Sequence, residues 1–342
     1  MAKAVKRIGV ITGDPRLADL TKRNAQYNEE DAATHNAMKA AFHELSEFTF
    51  LFYDDHTRLF EQLQQDRPDL VVNFCDTGFR NVPAQELNIP AYLEMLEIPY
   101  TGAPPSAMVI CFDKAIVRLV AQSHGVPVPQ EYFIDSRDSL EALPDFYPAL
   151  IKPNAADGSV GITKDAVVRS PEEASKYLHW LRSTLPGRDA LMQEYLTGPE
   201  YGIGVIGNLE TDFCILPPLE VDFSRLPAGL DPILSFESKA YPDSPYWTDI
   251  KFKQAVLDPK LEEQMKDWVR ILFRRFGLRD YARFDFRVGS DGMPKLMEVN
   301  PNPAWAYDGK LAFMAGFAGI KYGEMLHKIL QAAINRMSVA TG

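Results

Sequence analysis

The stretch YARFDFRVGSDGMPKLMEVNPNP, residues 281–303, concentrates the residue types best able to do chemistry. Phe284, Phe286 and Val288 alternate with Arg283, Asp285 and Arg287, a period of two that predicts a strand. Ser290, Asp291 and Gly292 supply turn residues. The returning segment alternates again, with Leu296, Glu298 and Asn300 expected on one face and Met297 and Val299 on the other. A turn centred between Asp291 and Gly292 sets Asp285 opposite Glu298 and Arg283 opposite Asn300. Such partners share a face, with Cβ atoms about 5 Å apart, so two carboxylates, an amide and a guanidinium converge. Carboxylates that close repel each other unless a cation lies between them. Oxygen-only ligands beside a nucleotide suggest Mg²⁺. The pattern also fits a solvent-exposed hairpin face of mixed charge, but the Asn-Pro-Asn-Pro continuation is odd for such a face and favours a site.

Two lysines extend the set. Lys152 closes the run YPALIKP and leads into the loop AADGSVGI, where Gly158 and Gly161 flank Ser159. Glycines there let the backbone approach an anion and turn N–H groups toward it. Lys114 falls in the first turn of a helix within CFDKAIV. Either lysine alone also reads as a surface residue; the glycine loop sets Lys152 apart. The segment LMQEYLTGPEYGIGV, 191–205, begins as an apolar strand and bends at Thr197-Gly198-Pro199, and its spacing alone assigns no ligand. The six histidines are scattered, without a convincing Ser-His-Asp or Cys-His set. Phosphoryl transfer needs none, because it relies on positioning and charge neutralisation.

The elements that must position these residues follow from periodicity. Short apolar runs at 5–12, 48–53 and 69–74, separated by helical stretches at 30–46 and 56–66, predict a small parallel sheet. A third helix over 84–97 leads into a short IPYTG strand. The sheet lacks a GxGxxG fingerprint, which argues against a dinucleotide cofactor. TGAPPSA, 101–107, reads as a linker by its Pro and Gly content, and a helix from Asp113 to Ser123 ends at Gly125 and Pro127. Further helices are expected at 171–184, 260–276 and 322–336, a Pro-rich loop at 217–247, and a loop at 301–310.

Composition bounds the function. At 342 residues, 46% apolar and 24% charged, the chain suits two or three packed parts rather than disorder. The net charge of -11, from 36 basic and 47 acidic residues, disfavours nucleic acid. Cys75, Cys111 and Cys214 form no CxxC pair and fit free thiols in a reducing cytosol. The apolar part of MAKAVKRIGVITG is too short for a signal segment or a membrane span, so a cytoplasmic location is expected.

Four stretches in this order resemble the D-alanine–D-alanine ligase-like branch of the ATP-grasp superfamily: IPYTGAPPSAMVICFDK, LIKPNAADGSVGI, QEYLTGPE and ARFDFRVGSDGMPKLMEVNPNP. The resemblance runs from about residue 69 to 335. It implies an α/β fold in a three-part clamp. A Rossmann-like parallel-sheet domain over 1–103 precedes a central part over 104–192 and a C-terminal part over 193–342. It implies a ligase that phosphorylates a carboxylate with ATP and couples it to an amine. Lys114 and Lys152 would contact the ATP phosphates, with the loop around Ser159 folded over them. Glu194, Tyr195 and Leu196 would bracket adenine, Glu200 would take the ribose, and Met297 would pack under the base. Asp285, Glu298 and Asn300 would hold two Mg²⁺ ions, with Mn²⁺ able to substitute. Arg283 would stabilise the transferring phosphoryl group and the tetrahedral oxyanion, and Lys239 would reach the γ-phosphate from a mobile lid. A homodimer is expected by analogy.

Three departures fall on amino-acid recognition. ITGDPRLADLTKRNAQYNEED does not match the family's amine-anchoring turn, NFCDTGFRNVPAQE replaces its glycine-rich segment, and PNPAWAYDGK places Ala304 at a glycine position. They point toward specialised metabolism, by amino-acid ligation or by condensation of an amino acid onto a mycosporine-type vinylogous acid. Lys310 and Asp308 are then expected at the acceptor. The alternatives are a true D-alanine–D-alanine ligase of the cell wall and a non-catalytic ATP-binding protein. The full set of charged residues argues against the latter.

Overall fold

The computed structural model describes residues 5–140 and 143–340; the first residues of the amino-terminal stretch lie outside them. The amino-terminal part alternates as its hydrophobic pattern predicts. β1 (Arg7–Ile11), α1 (Glu29–His43), β2 (Thr49–Tyr53), α2 (Leu59–Asp66), β3 (Leu70–Asn73) and α3 (Asn88–Met95) follow in order. The sheet is parallel throughout, in the order β2-β1-β3. α1 starts where it does because Asn28 accepts from Glu30 and Asp31 while Asp31 returns a bond to the Asn28 backbone, a capping box. The expected IPYTG strand reduces to one parallel bridge between Val71 and Tyr100.

The expected linker is instead the start of a helix. α4 (Pro105–Phe112) and α5 (Lys114–Ser123) follow directly, with Thr101 and Ala103 fully buried. Pro105 stands at the first helical position, where its fixed φ and missing N–H favour initiation rather than interruption. Asp113 caps α5 through the Ile116 N–H. β4 (Glu131–Ile134), β5 (Ala149–Pro153), β6 (Val167–Val168), α6 (Pro171–Thr184) and β7 (Ala190–Glu194) then form an antiparallel sheet in the order β4-β7-β5-β6.

The last part is a six-stranded sheet. It comprises β8 (Glu200–Ile206), β9 (Cys214–Ile215), β10 (Leu219–Asp222), β11 (Lys251–Gln254), β12 (Tyr281–Val288) and β13 (Pro294–Asn300). The Pro-rich loop contains β10 and the short helices α7 (Glu237–Ala240) and α8 (Pro245–Thr248). α9 (Pro259–Phe276) is capped by Asp258 and closed by Gly277 in the left-handed region. α10 (Lys310–Phe317), which periodicity did not announce, and α11 (Tyr322–Ala340) complete the chain. One core joins α4, α5 and α9 to the inner residues Phe284, Phe286, Leu296 and Val299 of the hairpin. That packing anchors Lys114 against the C-terminal sheet and leaves the other face of β12 for the site.

Asp280 ties the parts together. It accepts from the Gly102 N–H at 2.9 Å, Asn208 Nδ2 at 2.9 Å and Arg336 Nη2 at 2.9 Å, while Arg336 also donates to the Tyr100 carbonyl. A buried carboxylate with these partners is well satisfied. It fixes the amino-terminal sheet relative to the strand that carries the site.

Candidate active site

Alternation on β12 does what the sequence requires. Phe284 and Phe286 enter the core, while Arg283, Asp285 and Arg287 line a cavity of about 1070 Å³. β13 pairs Asp285 with Glu298 and Arg283 with Asn300, the expected register. It then slips, so that Phe286 faces Leu296, and Met297 is the extra residue of a bulge. The bulge corrects the expected faces: Leu296 is buried in the core, and Met297 joins Glu298 and Asn300 on the cavity wall.

The charges are closely interlocked. Arg283 Nε and Nη2 lie 2.9 Å from the two Asp285 oxygens. Lys310 Nζ sits 3.6 Å from Asp285 and 3.5 Å from Glu200. Burial opposes the Asp285 charge, but Arg283 and Lys310 outweigh it and hold the carboxyl well below the usual range. Lys114 lies 3.8 Å from Glu298 and donates to the Ala156 carbonyl at 2.7 Å. Lys152 is buried, 3.3 Å from Gln193 Oε1, and burial pulls its ammonium below the ordinary lysine value. Lys239 stands at the cleft with its side chain open to solvent, and local desolvation, with Lys310 beside it, pushes its ammonium down to about 8.

The glycine loop closes this end. Gly158, Ser159 and Gly161 all have positive φ, and a Cβ on Gly161 would meet Pro153 at 2.6 Å. Ser159 Oγ donates to the Leu234 carbonyl at 2.9 Å, and the Phe236 N–H donates to Ile162. The segment bearing Lys239 is thereby fastened to the loop.

The structure does not bring Glu194, Tyr195 and Leu196 to the cavity wall. Glu194 pairs with Lys295, Arg287 covers the Tyr195 ring at 5.4 Å, and Leu196 is buried. Glu200 does line the cavity, with Arg287 3.7 Å behind it. Asp308 and Ala304 line the cavity as well.

The opposite end was not legible from spacing. Asn302 Nδ2 donates to Glu86 at 2.8 Å, and Trp305, anchored to the Phe74 carbonyl, stacks on His35 at 5.5 Å. Burial, reinforced by the Asp157 charge, pushes Glu86 well above the usual carboxylate range. Burial raises Asp76 to about 6 against the pull of Lys22. These residues come from segments far apart in the chain; the only sequence signal was that two of those segments departed from the expected pattern.

The two carboxylates suit a hard cation such as Mg²⁺; Asn300 turns its Nδ2 toward both, 3.5 Å from Asp285 and 3.4 Å from Glu298, so its amide would have to turn over to offer the oxygen. Among the described residues no three or more His, Cys, Asp and Glu side chains gather as a metal site. Phosphate oxygens would therefore have to complete any coordination.

A family model described as the D-ala D-ala ligase C-terminus matches residues 126–331, more than half of the chain. The chain belongs to the D-alanine–D-alanine ligase family. An uncharacterized protein, y4sG, of Sinorhizobium fredii is 31% identical over 252 residues, 73% of this chain and 70% of that protein. The D-alanine–D-alanine ligase of Maridesulfovibrio salexigens is 28% identical over 267 residues, 77% of this chain and 82% of that enzyme. The crystal structure of D-alanine–D-alanine ligase from Bacillus anthracis complexed with ATP matches with a TM-score of 0.72 at 20% identity, over 99% of this chain and 100% of that one. That likeness shows the ATP-grasp fold. Membership makes this protein an ATP-dependent carboxylate–amine ligase. The named activity of its curated relative favours the D-alanine–D-alanine ligase reading over the mycosporine-type one. No helix among the described residues is long and apolar enough to cross a membrane.

Proposed function

We propose that this ligase phosphorylates the carboxylate of a small amino acid and joins it to the amine of a second, with D-alanine as its substrate. The observation that carries the reading is the single cavity: a cationic end built on β12, β13 and the glycine loop, and an acidic end at Asp76 and Glu86. The first suits a triphosphate and the second an ammonium group. Lys114, Lys152 and the loop around Ser159 hold the phosphates, Glu200 takes the ribose, and Met297 lies under the base. Asp285, Glu298 and Asn300 would hold Mg²⁺, which supplies charge neutralisation to the phosphates.

The γ-phosphoryl group passes to a carboxylate oxygen of the first amino acid, releasing ADP and leaving an acyl phosphate. The amine nitrogen of the second attacks the acyl carbon, and the C–O bond to phosphate breaks from the tetrahedral intermediate as the amine loses its proton. Arg283 faces the negative charge that develops in both steps. Segment 217–247, tied to the glycine loop, keeps water from the acyl phosphate.

The test is ADP release with Mg-ATP against a panel of amino acids, singly and in pairs. Turnover with D-alanine alone, with dipeptide formed, is expected. Silence with D-alanine and turnover on another amine and carboxylate pair would remove D-alanine and return the specialised-metabolism reading.

The depressed Lys239 ammonium adds a pH dependence. The side chain is cationic below about 8 and neutral above it, so its attraction for phosphate is lost as pH rises. The value of kcat/KM for ATP is expected to fall through that range. In Lys239→Arg, whose charge persists, the descending limb should move to much higher pH; an unmoved limb would assign it to another group.

A further inference from the structure

We propose that a column of stacked rings at the acidic end of the cavity restricts this ligase to amino acids with small side chains. The inference rests on the reading that the substrate's ammonium is held at that end, and it names what the neighbouring wall does.

Five rings follow one another nearly parallel. Tyr27, His35, Trp305, Phe74 and Phe42 have centroids 6.1, 5.5, 5.3 and 6.1 Å apart in turn, with planes inclined by 21°, 18°, 13° and 20°. These are offset stacks of the kind aromatic side chains prefer. The column starts in the core, where Phe42 and Phe74 are fully buried, and emerges at the cavity, which Trp305, His35 and Tyr27 line. His35 and Trp305 each stack on two rings. Their faces are taken up by one another, so the cavity meets ring edges rather than an open face on which a substrate ring could lie.

The column is fastened along its length. The Trp305 indole N–H donates to the Phe74 carbonyl at 2.7 Å. Tyr27 is seated against the Gly13 backbone, where a Cβ would collide with its hydroxyl. The Lys22 ammonium lies 5.0 Å from the Tyr27 ring centroid and is held there by Asp31 at 2.6 Å. Burial, with the charges of Lys22 and Lys39, keeps the His35 imidazole below its ordinary pKa, so it is neutral at pH 7.

The wall and the ammonium anchor share one loop. Asn302 donates to Glu86 at 2.8 Å, and Trp305 follows three residues later. A substrate whose ammonium is held at Glu86 and Asp76 therefore carries its side chain beside a rigid surface. Tightly packed rings yield little to added methylenes, so an alanine-sized side chain fits and a branched or aromatic one is turned away.

The experiment measures ADP release with Mg-ATP for D-alanine, D-valine and D-phenylalanine, in the wild type and in His35→Ala. One methylene in a fitted pocket changes kcat/KM by about 10- to 200-fold, so the wild type is expected to use the two larger substrates at least about 100-fold less well. His35→Ala is expected to narrow that gap by about tenfold or more, with KM for ATP unchanged. His35→Phe restores a ring and should keep the wild-type preference, which separates a wall from a role for the imidazole nitrogens. A wild type that uses D-phenylalanine as well as D-alanine overturns the inference, and so does full discrimination in a folded His35→Ala. Should His35→Ala not fold, Tyr27→Leu at the outer end of the column carries the same expectation and the same refutation. Turnover with another small amino acid in place of D-alanine removes the D-alanine reading and leaves the wall standing, whereas no turnover with any amino acid removes both.

Discussion

Replacing Arg283 with methionine is expected to lower kcat by about a hundred- to a thousand-fold, the usual loss when one preorganised donor to a developing negative charge is removed. KM for ATP should move far less, because Lys114 and Lys152 still line the cavity. The bidentate grip on Asp285 makes Lys a poor substitute: a lysine restores charge but not the planar fork. Removing one partner of a buried pair also destabilises, by about 3–5 kcal/mol, through the carboxylate left behind. Two readouts separate these effects. Thermal unfolding of Arg283→Met should show the loss, and Arg283→Met/Asp285→Asn should recover much of it while remaining inactive. A single variant with near-normal kcat would remove Arg283 from the chemistry.

That pair was visible in the sequence because strand alternation is a two-residue rule and needs no tertiary information. Asp285 opposite Glu298 and Arg283 opposite Asn300 followed from the turn at Asp291-Gly292. The same rule failed three residues from the turn's far side. One extra residue, Met297, reverses the facing of everything between it and the turn, and nothing in LMEV announces a bulge. Pro104-Pro105 misled in a different way, since proline both ends and begins helices and only the buried Ala107, Met108 and Cys111 decide which.

The nucleotide end and the substrate end differed in legibility for a physical reason. Lys152, Ser159, Asp285 and Glu298 lie on or beside strands whose patterns are local. The acidic end is assembled from the loop after β3 and the loop after β13, with Glu86 reaching Asn302 across 216 residues of chain. Trp305 read as part of a loop, yet it is buried in a stack that includes His35 and Phe74. Such contacts depend on how three parts dock, fixed in turn by groups such as Asp280, and no window of sequence contains them. Lys310 was singled out because its loop departs from the family pattern; that it lies 3.5 Å from Glu200 and 3.6 Å from Asp285 was in no local window.

Glu298→Gln is the second large effect. The substitution keeps size and hydrogen-bonding capacity but removes the charge of the more exposed of the two hairpin carboxylates. Outer partners of metal ligands alone change affinity or activity by about 10- to 100-fold, so loss of a ligand charge is expected to exceed about 100-fold in kcat/KM for ATP. Stability should barely change, because the ion pairs of Glu298 are long and solvent reaches it. Asp285→Asn makes the contrast. It strips Arg283 and Lys310 of their common partner, so it should lower the unfolding temperature as well as the rate. Metal titration separates the two further: Glu298→Gln should require far more Mn²⁺ for half-maximal turnover. If instead Glu298→Gln turns over normally at ordinary metal concentration while Asp285→Asn loses metal, Glu298 is removed from the metal site and Asp285 is its principal ligand.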